Sequence, residues 1–268
     1  MILFLNNNNM ILLLLLIIII IMFIIKDNKE SFTESDKKYY DCIISINVHE
    51  KLDFLINQLN NIKMNTSLSY AVILNCNDYM FEECNKYNLD NNIYVNNVIL
   101  NKKRFHGSLL NGIYNNIKYA LANFEFKYFI VASSRSMFGN NLTLEDLDRI
   151  TQIKEQNQNN NYDEWHWPSF KNTLLAEYYL EQNKDLYKSP HEGLLITKNG
   201  CYKIVNFLES HPDIKNDLFN FDGCVEEFGF QTILINSDDS FHYIGNGCCI
   251  EKIVEPNNTK EYMYKVSR

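Results

Sequence analysis

Apolar and polar positions divide the chain into three regimes. Met10–Ile25 reads MILLLLLIIIIIMFII, without one polar side chain. Residues 26–38 are mostly polar and read as a short stalk. From Tyr39 onward two periods alternate. Asp41–Val48 (DCIISINV) is a compact run suited to a strand buried on both faces. Leu52, Leu55, Ile56, Leu59 and Ile62 follow at helical spacing. Tyr70–Leu74 predicts a second strand and Ile93–Ile99 a third. Leu109, Leu110, Ile113, Ile117, Tyr119 and Leu121 mark a long helix, and Tyr128–Ala132 a fourth strand. Strands alternating with helices predict an α/β domain, its mostly parallel sheet covered on both faces.

The pattern loosens after Ser133. Leu144–Ile153 reads as an exposed helix and Gln156–Asn161 as a solvated loop. Asn172–Gln182 predicts a helix, His191–Thr197 a strand, and Asn199–Ser210 an amphipathic helix ended by Pro212. Val225–Ile235 reads as a further helix, and Phe241–Val254 as one or two short strands. With no repeat and no internal boundary, the expected organisation is a tail (1–9), an anchor (10–25), a stalk (26–38), one domain (39–256) and a C-terminal tail (257–268).

The apolar run has sixteen residues, giving about 24 Å as a helix, enough for a thin bilayer. A cleaved signal peptide calls for a basic leader and a small-x-small cleavage site. Here Asn6–Asn9 precede the run, and the first alanine is Ala71. The expectation is therefore a single-pass N-terminal anchor. Lys26, Lys29, Lys37 and Lys38 lie on its C-terminal flank, which favours a cytosolic domain by the positive-inside rule. Sequons at Asn65, Asn141 and Asn257 carry no weight on topology, because asparagine makes up about one residue in seven.

Composition narrows the function classes. A net charge of -8 argues against a nucleic-acid partner, whose phosphates need a basic face. Seven cysteines without a C-x-x-C spacing exclude a zinc ribbon and a thioredoxin-type motif. No G-x-G-x-x-G or G-x-x-x-x-G-K-[ST] follows a strand, which disfavours a dinucleotide or P-loop site.

In an open parallel sheet, ligands bind beyond the carboxyl ends of the strands. That rule nominates Asn47 and His49, then Asn75 to Asp78, Lys102 to His106, and Ser133 to Arg135. Lys102-Lys103-Arg104 before a helix start is a candidate anion site. Asp146-Leu147-Asp148 has the form of a metal-holding Asp-x-Asp. On a helix, however, residues two apart point to different faces, so no metal ligand is expected there. Trp165, in Asp163-Glu-Trp-His-Trp-Pro168, offers an aromatic face for a sugar ring or a hydrophobic loop anchor.

These segments, in this order, resemble the core-2/I-branching N-acetylglucosaminyltransferases and peptide xylosyltransferases. The resemblance is carried by Val48-His49 after the first strand, Asn75-Cys-Asn-Asp78 after the second, and Arg104-Phe-His-Gly-Ser108 before the long helix. It continues through Tyr128–Phe138, Glu192–Val205 and Val225-Glu-Glu-Phe-Gly-Phe-Gln-Thr-Ile-Leu234. Three positions depart: Ser133-Ser-Arg-Ser136 lacks the family's aspartate, His106 replaces a tryptophan, and Asn77-Asp78 shifts the acidic position.

The resemblance implies a GT-A-type (Rossmann-like) fold and an inverting transfer from a nucleotide sugar, a UDP-sugar above all, to a glycan or protein hydroxyl. It implies Glu227 as catalytic base, with Glu226 beside it. Val48, His49, Asn75, Asp78, Arg104, Ser133, Arg135, Trp165 and Lys252 are then candidates for binding substrate. The family works without a metal, using basic side chains on the diphosphate, and Mg or Mn stays open here. A secretory lumen fits the family while the lysine flank fits the cytosol, so the side of the membrane stays open too. Two other readings stand beside the enzyme: an inactive GT-A-like binding domain and a membrane-tethered scaffold.

Overall fold

The computed structural model describes residues 37–152, 168–249 and 263–265. The chain divides between Lys37 and Lys38. The expected anchor and the stalk up to residue 36 lie outside the described residues, among which no helix is long and apolar enough to cross a membrane.

The domain is α/β, built on a six-stranded mixed sheet in the order β3-β2-β1-β4-β6-β7. β1 (Lys38–Asn47) pairs in parallel with β2 (Tyr70–Asn75) on one side and β4 (Phe124–Ser133) on the other. β3 (Ile93–Asn96) extends the parallel part beyond β2. β6 (Leu194–Thr197) runs antiparallel to β4, and β7 (His242–Tyr243) antiparallel to β6. A second sheet joins β5 (Ser136–Phe138), β9 (Met263–Lys265) and β8 (Gly245–Cys249). β9 lies within 257–268, so the segment expected to be a C-terminal tail contributes a strand to the fold.

Side-chain alternation explains the two-sided burial. Cys42, Ile44 and Ile46 join Val72, Leu74, Tyr128 and Ile130 in one core. Their neighbours Ile43, Ala71, Ile73, Phe129 and Val131 enter the other. The first core is covered by α1 (Leu52–Met64), α2 (Asp78–Lys86) and α4 (Leu144–Gln152). The second is covered by α3 (Ser108–Asn123), α5 (Leu174–Leu180), α6 (Lys198–Ser210), α7 (Pro212–Asn220) and α8 (Gly229–Asn236). Fully burying residues such as Phe129 and Ile43 stabilises the fold by roughly 1.5–3 kcal/mol each.

One buried polar cluster sets how α3 sits on the sheet. Asn116 donates to Ser45 Oγ at 3.0 Å and to the Ile73 carbonyl at 3.1 Å, and accepts from Asn96 Nδ2 at 3.0 Å. A polar group at zero exposure is tolerated only when paired, so these bonds reject other placements of the helix.

Four local expectations differ from the fold. α2 follows β2 at a place where the sequence pattern predicts only a ligand-binding loop. Its N-cap is Asn77, whose side chain accepts from the Met80 amide at 2.9 Å. Pro212 occupies the first turn of a new helix, α7, rather than only closing the one before. The single helix expected over Val225–Ile235 is a 3-10 turn, Val225–Glu227, followed by α8. The third strand stops at Asn96, whose side-chain oxygen turns back to the Val98 amide at 3.0 Å.

Candidate functional site

The strand order changes direction at β1: β2 and β3 lie to one side, β4 to the other. The carboxyl ends of β1 and β4 are therefore the switch point, where open α/β sheets bind ligands. Asn47 and Ser133 are register partners there. Just beyond them, His49 Nε2 lies 3.1 Å from Ser134 Oγ. Arg135 Nε lies 3.7 Å from Glu50 Oε1, and His49 Nε2 lies 3.9 Å from the same oxygen. The turn after β4 is held from below by α1: Gln58 Nε2 donates to the Ser133 and Ser136 carbonyls at 2.7 and 2.8 Å. The Ser133 amide donates to Ser136 Oγ at 2.9 Å.

Lys102 brings a cation to the neighbouring strand ends. Its Nζ donates to the Asn75 carbonyl at 2.9 Å and to the Leu100 carbonyl at 3.3 Å. Among the described residues no carboxylate pairs with it. Burial lowers its pKa to about 8. Two buried acceptors adjoin it. Asn47 and Asn75 spend their amide N–H groups on the Leu109 and Val98 carbonyls, at 2.8 and 2.9 Å. Among the described residues their Oδ1 atoms find no hydrogen-bond partner. Gly112 makes the crowding possible: a Cβ there would lie 2.2 Å from Asn47 Oδ1 and 2.9 Å from Lys102 Cε.

His49 senses this charge. Burial lowers its pKa first, Glu50 opposes the shift, and the Lys102 and Arg135 charges lower it further. The imidazole is therefore biased toward its neutral form.

A second group reaches the same edge from the far side of β4. Because β6 is antiparallel to β4, its amino end lies beside β4's carboxyl end. Gly193 N donates to the Val131 carbonyl at 2.8 Å. His191, just before this strand, sits 3.5 Å from Glu192 Oε1 and 3.9 Å from Glu227 Oε1. The Glu227 carbonyl accepts from the Ser189 amide at 2.8 Å, which fixes the 3-10 turn against this segment. Glu227 keeps a side chain 40 % exposed, whereas Glu226 is buried at 2 %.

The nominated residues thus separate. His49, Ser133 and Arg135 lie at the switch-point end, Asn75 is fully buried at the end of β2, and Glu227 stands at the same edge on the β6 side. Val48 is core: its side chain is fully buried, and its amide donates to the Asn75 carbonyl at 2.8 Å. Asp78 is an exposed first-turn residue of α2, with Asn101 Nδ2 at 2.9 Å. Arg104 stacks on Phe105, whose ring centroid is 4.4 Å away and whose φ of 54° is unusual for a bulky side chain. Trp165 and Lys252 lie outside the described residues.

Asp146 and Asp148 take separate partners. Asp146 accepts from Thr143 Oγ1 at 2.7 Å, and Asp148 from Lys127 Nζ and Tyr128 OH at 2.7 and 2.8 Å. Among the described residues no group of three or more His, Cys, Asp and Glu side chains is placed to hold a metal.

Two contributors escaped the sequence reading. Glu50 follows His49 directly, so its adjacency to the strand end was the available signal. His191 precedes its strand, and only the antiparallel direction of β6 puts that end at the site. No protein-family model matches the chain, and none of the curated proteins does.

Proposed function

We propose that this protein is a membrane-anchored, GT-A-like inverting glycosyltransferase. In this reading it moves a sugar from a nucleotide sugar, a UDP-sugar above all, to a glycan or protein hydroxyl. The observation that carries the reading is the polar excess at the switch point. At the adjoining end of β2, Lys102 has no carboxylate partner among the described residues, and beside it are two buried amide oxygens that find no hydrogen-bond partner among those residues. A fold leaves such groups unsatisfied at few places, and a ligand that supplies both negative charge and donor groups satisfies them. A nucleoside diphosphate has both.

The chemistry follows from the two sides of the edge. Lys102 and Arg135 bind the diphosphate and stabilise the charge that grows on it as the bond to the sugar's anomeric carbon breaks. Glu227 takes the acceptor hydroxyl's proton as that oxygen attacks the opposite face of the same carbon. Residues 10–25 tether the domain, with the side of the membrane open. Basic side chains supply the countercharge in this scheme, as in the resembled family.

Calorimetric titration with UDP and a transfer assay over a panel of UDP-sugars test the reading. Glu227→Gln should keep UDP affinity within about threefold and lower transfer by at least ~100-fold. Transfer that survives this substitution removes Glu227 from the base role. A chain that does not bind millimolar UDP is neither the transferase nor a UDP-binding domain, which leaves the tethered scaffold. The turn Ser133-Ser-Arg-Ser136, without a carboxylate, favours a second reading as a nucleotide-sugar-binding domain without catalysis. UDP binding with no transfer or donor hydrolysis is the outcome that selects it.

A further inference from the structure

One histidine stands between a buried carboxylate and an exposed one. His191 Nε2 lies 3.5 Å from Glu192 Oε1, and its Nδ1 lies 3.9 Å from Glu227 Oε1. Side-chain exposure rises along this row, from 6 % at Glu192 through 15 % at His191 to 40 % at Glu227. A buried carboxylate is costly unless a cation or hydrogen-bond donors meet it. An imidazolium can serve both glutamates at once, because each of its ring nitrogens carries a proton.

The backbone under this row is fixed from two sides. Gly193, at φ 82°, turns the chain from Glu192 into β6, in a left-handed conformation that glycine adopts at little cost. Its amide donates to the Val131 carbonyl at 2.8 Å, and its carbonyl accepts from the Ile244 amide at 3.0 Å. On the other side, the fully buried Gln231 of α8 donates from Nε2 to the Glu226 carbonyl at 3.2 Å and to the Ser189 carbonyl at 3.3 Å. Together with the Ser189 amide on the Glu227 carbonyl, these bonds tie the segment that carries His191 to the turn that carries Glu227. A side-chain pair held on such a frame is set before substrate arrives.

We propose that His191 is a positioning residue for Glu227, itself held in place by Glu192. This role rests on the glycosyltransferase reading, in which Glu227 is the base. The imidazolium holds Oε1 of the Glu227 carboxylate and leaves the other oxygen to take the acceptor hydroxyl's proton. Once that proton has moved, Glu227 is neutral and Glu192 still balances the charge on His191. The row thus never leaves the imidazolium without a counterion. It follows the logic of a base oriented by a third group.

The test uses the full chain in detergent micelles. The same elements carry Lys188, Glu226, His242 and Tyr243, so the measurement reads His191 itself. NMR of the imidazole groups follows its signal through a pH titration, with His191→Gln assigning it among the six histidines. Glu227→Gln should lower the His191 midpoint by about half a unit, and Glu192→Gln by about one unit. In transfer assays His191→Gln should lower kcat by about tenfold or more, with donor KM and UDP affinity within about twofold. A merely structural role would move UDP affinity together with kcat, and that result overturns the proposal. A His191 midpoint that ignores Glu227→Gln does the same. So does an unchanged kcat in His191→Gln where Glu227→Gln has lost transfer. A wild-type chain that binds UDP but transfers no sugar removes the glycosyltransferase reading itself, and the role of His191 falls with it.

Discussion

Lys102 is held by two carbonyl oxygens in a half-buried place, and its folded-state pKa of about 8 lies below the ordinary lysine value of 10.5. Between these two values the unfolded chain binds the extra proton, so stability rises with pH across that window. Below about pH 8 the charged side chain burdens the fold. Lys102→Met should therefore raise the melting temperature at pH 7 while weakening UDP binding by about tenfold or more, measured by thermal melting and titration calorimetry. Wild-type affinity for UDP should fall as pH rises past about 8, a dependence that Lys102→Met flattens. His49, Asn75, Ser133 and Arg135 were legible because each lies at the carboxyl end of a strand or within two residues of it. The pairing of Arg135 with Glu50, and of His191 with Glu227, joins residues far apart in sequence, and no local pattern encodes it.

At the scale of elements, the contact between α3 and α7 is tight enough to be tested by one methyl group. The Gly107 amide donates to the Phe221 carbonyl at 2.8 Å. A Cβ on Gly107 would lie 1.8 Å from the Leu218 carbonyl oxygen, which is backbone and cannot rotate away. Gly107→Ala should cost about 1–3 kcal/mol in chemical denaturation. The same helices share a charged junction. Glu209 on α6 accepts from Tyr114 and Lys118 of α3 and from Lys215 of α7. The Tyr114 hydroxyl first, then the two ammonium groups, hold its pKa near 2, below the usual 4.5. A depressed carboxylate contributes stability above its unfolded value and loses it as pH falls toward its folded one. Glu209→Gln should flatten the acid limb of the stability curve between about pH 4.5 and 2, by under about 1 kcal/mol for so exposed a group. Strand and helix types were readable from periodicity, whereas α2 was not. Its nine residues bury only Met80 and Cys84, which is too thin a stripe to stand out.

For the molecule as a whole, the start of β1 sets the smallest chain that keeps its sheet. Lys38, Tyr39 and Tyr40 pair with Phe124, Glu125 and Phe126, and the buried Tyr40 hydroxyl meets Tyr94 at 2.8 Å. A chain cut to 38–268 should unfold cooperatively near the full-length melting temperature. One cut to 43–268 should melt several degrees lower, because it lacks Tyr40 and the Asp41 side chain that accepts from the Ser69 amide at 2.9 Å. With an overall charge of -8 the protein repels anions at a distance, so Lys102, without a carboxylate partner among the described residues, is a local exception to that field. Sequence by itself determined the α/β class, the burial of both sheet faces and the set of strand-end residues, because periods of two and 3.6 and adjacency to a strand are local properties. Only the tertiary structure decided that β1 lies between β2 and β4, that β6 runs backwards, and that His49, Ser134 and Arg135 meet while Val48 turns into the core. Hydrophobic pattern specifies which face of a strand is buried, but not which strand lies beside it. That choice is made by packing and buried polar pairing across the whole domain, with Asn116 on Ser45 and Gln58 on the Ser133 turn as two of its enforcing contacts.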